Sequence, residues 1–173
     1  MIFTVGHSNH AIEKFLAILQ AHQIEQLIDV RTIPKSRHNP QFNRESLTVF
    51  LPEHNIAYHH LPGLGGLRKP QKDSINLGWQ NASFRGYADY MQTPEFAENL
   101  RELIEIANDR RSAIMCAEAV PWRCHRSLIA DALTARGVEV ENILSETRCE
   151  PHRYTPFAKI EGKHVTYPGL LLS

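Results

Sequence analysis

The stretch Ser112-Ala-Ile-Met-Cys-Ala-Glu-Ala-Val-Pro-Trp-Arg-Cys-His-Arg126 decides the reading of this chain. Its apolar run ends at Cys116, as a buried strand would. Glu118 and a turn at Pro121 follow, and Cys124, His125 and Arg126 stand where a helical pattern begins. In that pattern Leu128, Ile129, Ala132 and Leu133 point inward, and Gly137 closes the helix. Strand, loop and helix form one βα unit. Ligands of open α/β sheets bind at the carboxyl ends of strands, where helix N-termini present unpaired N–H groups to anions. Two thiols, a carboxylate, an imidazole and a guanidinium therefore fall where a site is expected.

Working outward, Ile2 to Val5 reads as a strand leaving at Gly6-His7-Ser8. A helix follows, with Ile12, Phe15, Leu16 and Leu19 on one face and Ser8 or Asn9 as its cap. Gln26 to Arg31 is a second buried strand with Asp29 and Arg31 at its exit. Strand, helix, strand within about 30 residues implies a parallel βαβ unit. Asn43 is placed to cap a short helix carrying Leu47, Phe50 and Leu51 inward, and Ile56 to Leu61 reads as a third strand. The turn-rich segment from Pro62 to about Ser83 has no period and reads as a lid or mobile insertion. Helical pieces are expected over Phe84 to Met91 and after Thr93-Pro94-Glu95, where an N-cap, a first-turn proline and a carboxylate coincide. Ala113 to Cys116 and Val138 to Leu144 complete five strands. Beyond Ser145, Cys149 to Pro156 reads as polar loop, and Lys159 to Val165 as a hairpin around Glu161-Gly162. The expected fold is a single α/β domain over residues 1–173, a mostly parallel sheet flanked by helices with a small C-terminal hairpin.

Composition narrows the function classes. The 173 residues carry 19 basic and 19 acidic side chains, so no general field attracts nucleic acid or membranes. No apolar run reaches the length of a membrane span, and the opening residues lack the pattern of a secretory leader. Three cysteines are too few for a disulfide scaffold, so a reducing, cytoplasmic setting is expected. The loop from Arg31 to Arg44 has no acidic residue and carries Lys35 and Arg37 with Phe42 nearby, a local patch suited to an anionic group or a stacked base.

The exits of strands one, two and four should meet at one sheet edge. That gathers His7, Ser8, Asp29, Arg31, Cys116, Glu118, Cys124, His125 and Arg126 into one cleft. A thiol in the first turn of a helix, beside guanidinium groups, is expected to ionise readily, which makes Cys124 the first candidate nucleophile; Cys116 is the second. Glu118, after a buried strand, should pair with Arg126, Arg31 or His7, or act as a general acid or base alongside His125 or His7. Arg31 and Arg126 are the candidate anion holders. Six residues between Cys116 and Arg123 rule out a phosphatase-type loop, which needs five. The spacing of Cys116, Cys124, His125 and His7 does not match a metal site, so neither metal nor cofactor is expected.

These same residues carry a resemblance. Thr4-Val-Gly-His-Ser8, Asp29-Val-Arg31 with Pro34 and Ser36, the Leu64-Gly-Gly66 turn, Phe84-Arg-Gly-Tyr87 and Cys116-Ala-Glu118 leading to Cys124-His-Arg126 resemble the bacterial and archaeal family catalogued as domain of unknown function 488. The His152-Arg-Tyr-Thr155 segment is similar to the family's tail motif, although Arg153 stands where proline is common. The resemblance implies an α/β fold and adds Ser36 and Tyr87 to the substrate-binding candidates; it implies no activity. The functional expectation is an enzyme acting on a small anionic or nucleotide-like substrate through a thiol. The alternatives are a non-catalytic nucleotide or nucleic-acid binding module and a metal- or redox-responsive thiol protein. Oligomeric state is left open.

Overall fold

A parallel sheet runs through the middle of the molecule, seen here in a computed structural model that describes residues 1–169. Its strands are β1 (Ile2–Gly6), β2 (Gln26–Asp29), β3 (Ala57–His60), β4 (Ser112–Cys116), β5 (Val140–Ile143) and β6 (Cys149–Pro151), in the spatial order β3-β2-β4-β1-β5-β6. The first five are parallel, and β6 runs antiparallel against β5. The helices are α1 (Ile12–Ala21), α2 (Arg44–Glu53), α3 (Ala82–Tyr90), α4 (Pro94–Ala107) and α5 (Arg126–Ala135). The hairpin β7 (Lys159–Glu161) and β8 (His164–Thr166) turns at Gly162, whose φ of 62° glycine tolerates without strain. The α/β fold, the mostly parallel sheet and the C-terminal hairpin are as the sequence implies.

Side chains alternate across the pleat, so each strand feeds two cores. Phe3, Val5, Leu27, Ala113, Met115 and Ile143 meet α1 and α2 on one face. Ile2, Ile28, Ile114 and Val140 meet α3, α4 and α5 on the other. Every residue of α5 from Arg126 to Leu133 is buried, a pattern that requires cover on its outer side. The C-terminal segment supplies it. The buried Asp131 carboxylate of α5 accepts hydrogen bonds from His152 Nε2 (2.8 Å), Thr155 Oγ1 (2.7 Å), the Thr155 N–H (3.2 Å) and the Tyr167 hydroxyl (2.7 Å). His152 thus has a structural task in binding the tail to the helix.

Local expectations needed four corrections. Helix α1 begins after Ala11 with no side-chain cap: Ser8 and Asn9 both lie upstream of the cap position, and the Ser8 hydroxyl donates to Asn9 Oδ1. Asn43 stands at the N-cap position of α2 as expected, but its side chain does not cap the helix; its Oδ1 accepts the Ser36 N–H at 2.7 Å and closes the preceding loop. Cys149 to Pro151 is a strand, since the exposed edge of β5 offers it a full ladder. The segment expected to be a lid or mobile insertion opens in a 3-10 turn at Pro62–Leu64, runs irregularly to Asn81 and is tethered. Asp89 of α3 accepts hydrogen bonds from the Gln71 N–H, Ser74 Oγ and Asn76 Nδ2, and Asn76 Oδ1 accepts the Tyr167 N–H. Asn81, a cap the sequence reading passed over, starts α3 by accepting from the Ser83 and Phe84 N–H groups. Thr93 caps α4 as expected.

Candidate active site at the carboxyl ends of the second and fourth strands

Register sets the site. Gly6 lies opposite Cys116, and Asp29 opposite Met115, so the exits of β1, β2 and β4 are level. The chain after β4 folds back over β1: the His7 N–H donates to the Cys116 carbonyl and the Ser8 N–H to the Ala117 carbonyl. A Cβ on Gly6 would lie 1.7 Å from the Glu118 carbonyl oxygen, so only glycine admits the loop there. The loop ends in a short 3-10 turn, Pro121–Arg123, and delivers Cys124 to the start of α5.

Alternation across the pleat divides the converging residues into two groups. On the α1/α2 side, Asp29 is fully buried. It accepts hydrogen bonds from Arg31 Nε (2.9 Å), Arg31 Nη2 (2.7 Å) and the Tyr58 hydroxyl (2.6 Å). Arg31 also donates to the Phe42 carbonyl at 2.7 Å and faces His7 Nε2 at 3.3 Å. His7 stacks on Phe42 and places Nδ1 2.6 Å from the Ser8 carbonyl. A carbonyl only accepts, so Nδ1 carries the proton and Nε2 receives the Arg31 bond. Burial, with further help from the Arg31 charge, brings His7 down to about 4, so this imidazole stays neutral. These three residues lock the strand exits together. Ser36 belongs to the same framework, with Oγ accepting the His38 and Asn39 N–H groups.

The reactive groups gather on the α5 side. Arg31, Thr32, Gly66, Phe84, Cys116, Glu118, Arg123, Cys124 and His125 are among the residues lining an open cleft of about 400 Å3. Cys116 and Cys124 share its floor, and each shifts the ionisation of the other. Burial pushes the Cys116 thiol up. The hydrogen bond from Cys124, the Arg126 charge and the Glu118 backbone outweigh it and leave Cys116 below the ordinary thiol value. Cys124 is raised well above that value, first by its bond to Cys116 and then by burial. The expectation of a lowered Cys124 is therefore corrected: the pair releases one proton readily and holds the other, the behaviour of a coupled dithiol. Its backbone setting favours the charge, since the Arg126 N–H points at Cys124 Sγ at 3.4 Å in the first turn of α5.

Arg126 is the least accessible cation of the site, 0% exposed. Its Nη2 donates to the Ala119 carbonyl at 3.3 Å, while Nε and Nη1 are buried without a hydrogen-bond partner among the described residues. Glu118, expected to pair with it, is instead exposed on the cleft wall. His125 places Nε2 3.0 Å from the Val30 carbonyl and Nδ1 3.5 Å from Cys124 Sγ, and packs against Tyr87. Burial holds His125 down to about 4. Tyr87 is fully buried, its hydroxyl donating to the Leu64 carbonyl at 2.9 Å; it supports His125 from behind. Ser8 and Ser36 are not among the cleft-lining residues, whereas Arg123, Phe84 and Gly66 are. Arg123, which no motif in the sequence singles out, is an exposed cation one residue before Cys124.

Among the described residues no three His, Cys, Asp or Glu side chains come together as a metal ion would require, and no helix is long and apolar enough to cross a membrane. A second cavity, of about 780 Å3, adjoins the same 3-10 turn through Pro121 and Trp122 and is walled by Trp79, Phe157 and the His152–Pro156 segment. No solved structure and no curated protein matches the chain. A family match does exist: it spans residues 11–133, more than two thirds of the chain, and includes both thiols, Glu118 and Arg126. The chain belongs to the family described as Domain of unknown function DUF488.

Proposed function

We propose that the protein is an enzyme that acts on a small anionic, nucleotide-sized substrate through a thiolate held between Cys116 and Cys124. The observation that carries this reading is Arg126, a guanidinium with no exposed surface and, among the described residues, two nitrogens without a hydrogen-bond partner and no ion pair to a carboxylate. A buried cation without a counter-charge is costly by several kcal/mol, on the order of what breaking a buried ion pair costs. The dithiol is the group beside it able to supply the negative charge. A thiolate on the floor of a cleft is a nucleophile, and a thiolate far outpaces a thiol in attack.

The remaining groups suit covalent group transfer. The sulfur attacks an electrophilic acyl or phosphoryl centre, and the leaving group departs into the open cleft. Glu118, exposed on the wall, is the acid or base available to the leaving group and to the water that later frees the intermediate. His125 is a weaker candidate, since it is held neutral, but its Nδ1 is placed to take the proton of Cys124. Arg123 on the cleft wall is the cation free to meet an anionic substrate, because Arg31 is engaged by Asp29.

Acetyl phosphate, a small anion carrying both kinds of electrophile, is a direct probe. Intact-mass and peptide analysis should find a transient adduct on Cys116 or Cys124 that is absent from the Cys116→Ser/Cys124→Ser protein and unchanged in Cys149→Ser. Saturable binding of the probe with no adduct, equal in the wild type and the double variant, would instead identify a binding module.

A further inference from the structure

The two thiols differ from an ordinary nucleophile in being a pair. Both line the same cleft, one at the end of β4 and the other at the start of α5, and the ionisation of each bears on the other. Between them lies only the segment 117–123, which leaves β4, crosses the end of β1 and returns to α5. Closing this short ring needs the sulfurs to come to bonding distance, about 2 Å. A nucleophile needing only one sulfur does not explain a second at its side. The third cysteine, Cys149, supplies a contrast within the same chain: its Sγ donates to Glu141 at 3.2 Å on the outer strand β6, and burial and that carboxylate push it up to about 12.

We infer that Cys116 and Cys124 form a reversible modification site, a dithiol that a hydroperoxide closes to a disulfide and a dithiol reductant reopens. The inference rests on the thiolate reading above and adds regulation of the same site by oxidant. Hydrogen peroxide is little larger than water and reaches sulfurs that are only 2% and 6% exposed. In the first step the Cys116 thiolate attacks one peroxide oxygen; the S–O bond forms and the O–O bond breaks. The departing hydroxide takes the proton of Cys124, leaving water, a sulfenic acid on Cys116 and a thiolate on Cys124. In the second step that thiolate attacks the Cys116 sulfur; the S–S bond forms, the S–O bond breaks, and the hydroxide leaves and is protonated by solvent. The two sulfurs lose two electrons, and one peroxide becomes two waters. Arg126 keeps a negative sulfur beside it through both steps and loses it when the disulfide closes, so the oxidised protein has neither its nucleophile nor the counter-charge of its buried cation.

The test uses the full chain under non-denaturing conditions. Limiting hydrogen peroxide is followed by alkylation of the remaining thiols with iodoacetamide and by peptide mass analysis. A Cys116–Cys124 bridge, two hydrogens lighter than the dithiol, should form at least about tenfold faster than Cys149 is oxidised and vanish with dithiothreitol. In Cys124→Ser, dimedone should trap a sulfenic acid on Cys116; Cys124→Ala serves if the serine variant folds poorly. Oxidation of Cys149 at an equal rate, or bridges found only between molecules, would overturn the inference. Iodoacetamide labelling of the reduced protein at neutral pH separates the two proposals. Labelling of the pair without bridge formation removes the redox site and leaves the thiolate enzyme standing, whereas resistance of the pair to both reagents removes both.

Discussion

Replacing Arg126 by methionine tests the thiolate assignment directly. Methionine keeps the length and most of the apolar volume of the side chain while deleting the charge. It leaves in place the backbone N–H that points at Cys124 Sγ at 3.4 Å. For unit charges roughly 5 Å apart at an effective dielectric of about 20, the attraction lost is ~3 kcal/mol, equivalent to a change of about two orders of magnitude in the thiolate fraction. The helix N-terminus that remains supplies part of the compensation, so labelling of Cys116 and Cys124 by iodoacetamide at neutral pH should fall ~10- to 100-fold. The rate profile should also move to higher pH. Cys149, whose ionisation is governed by burial and Glu141 and not by Arg126, is the internal reference in the same digest. Stability gives a second readout, with the sign fixed by linkage. Cys116 is held below its ordinary value in the fold, so its thiolate contributes stability that is complete above the unfolded thiol value near 8.5 and is lost as pH falls through the folded one. The wild type should therefore gain on Arg126→Met as pH rises toward about 8.5. Above that range the retained Cys124 proton works the other way, because a raised group loses its contribution as pH rises. Equal labelling profiles in the two proteins would refute the assignment of the dithiol as the counter-charge of Arg126.

Two further outcomes follow from the framework around the site. His7 and His125, both held down to about 4, should show neutral rings in NMR spectra at pH 5.5. Their contribution is complete above the ordinary 6.5 and lost as pH falls toward 4, at most about 3 kcal/mol for each; a ring midpoint near 6.5 would contradict the buried, carbonyl-bound geometry. Asp131→Ala removes the acceptor of His152, Thr155 and Tyr167 and should destabilise the protein by about 3–5 kcal/mol. Hydrogen exchange should accelerate across residues 152–167 before it does in β1 to β5, and unchanged exchange there would show that the tail is held by packing alone.

Much of the architecture was legible because it is written in short-range pattern. Apolar runs of four to six residues separated by helical periods can satisfy their backbone groups only as parallel βα units, and Thr93-Pro94 and Glu161-Gly162 mark their own boundaries. The β6 strand was not legible. Cys149-Glu-Pro151 has no strand character of its own and pairs because β5 would otherwise end the sheet with an open edge. The caps at Ser8 and Asn43 failed for a related reason: each side chain or backbone group had a partner, or a turn to make, that the linear order does not reveal.

Residue type and spacing alone determined that reactive groups leave β1, β2 and β4 at one edge, with two thiols flanking a loop that opens a helix. Tertiary structure decided how those groups divide. The two-residue period of a strand sends His7 and Asp29 to the α1/α2 face, where Arg31 binds both while also reaching the cleft wall, and Cys116 to the α5 face, where Cys124, His125 and Arg126 await it. Which thiol gives up its proton depends on burial and on the distance to a neighbour and a cation. Those quantities exist only once the chain is packed.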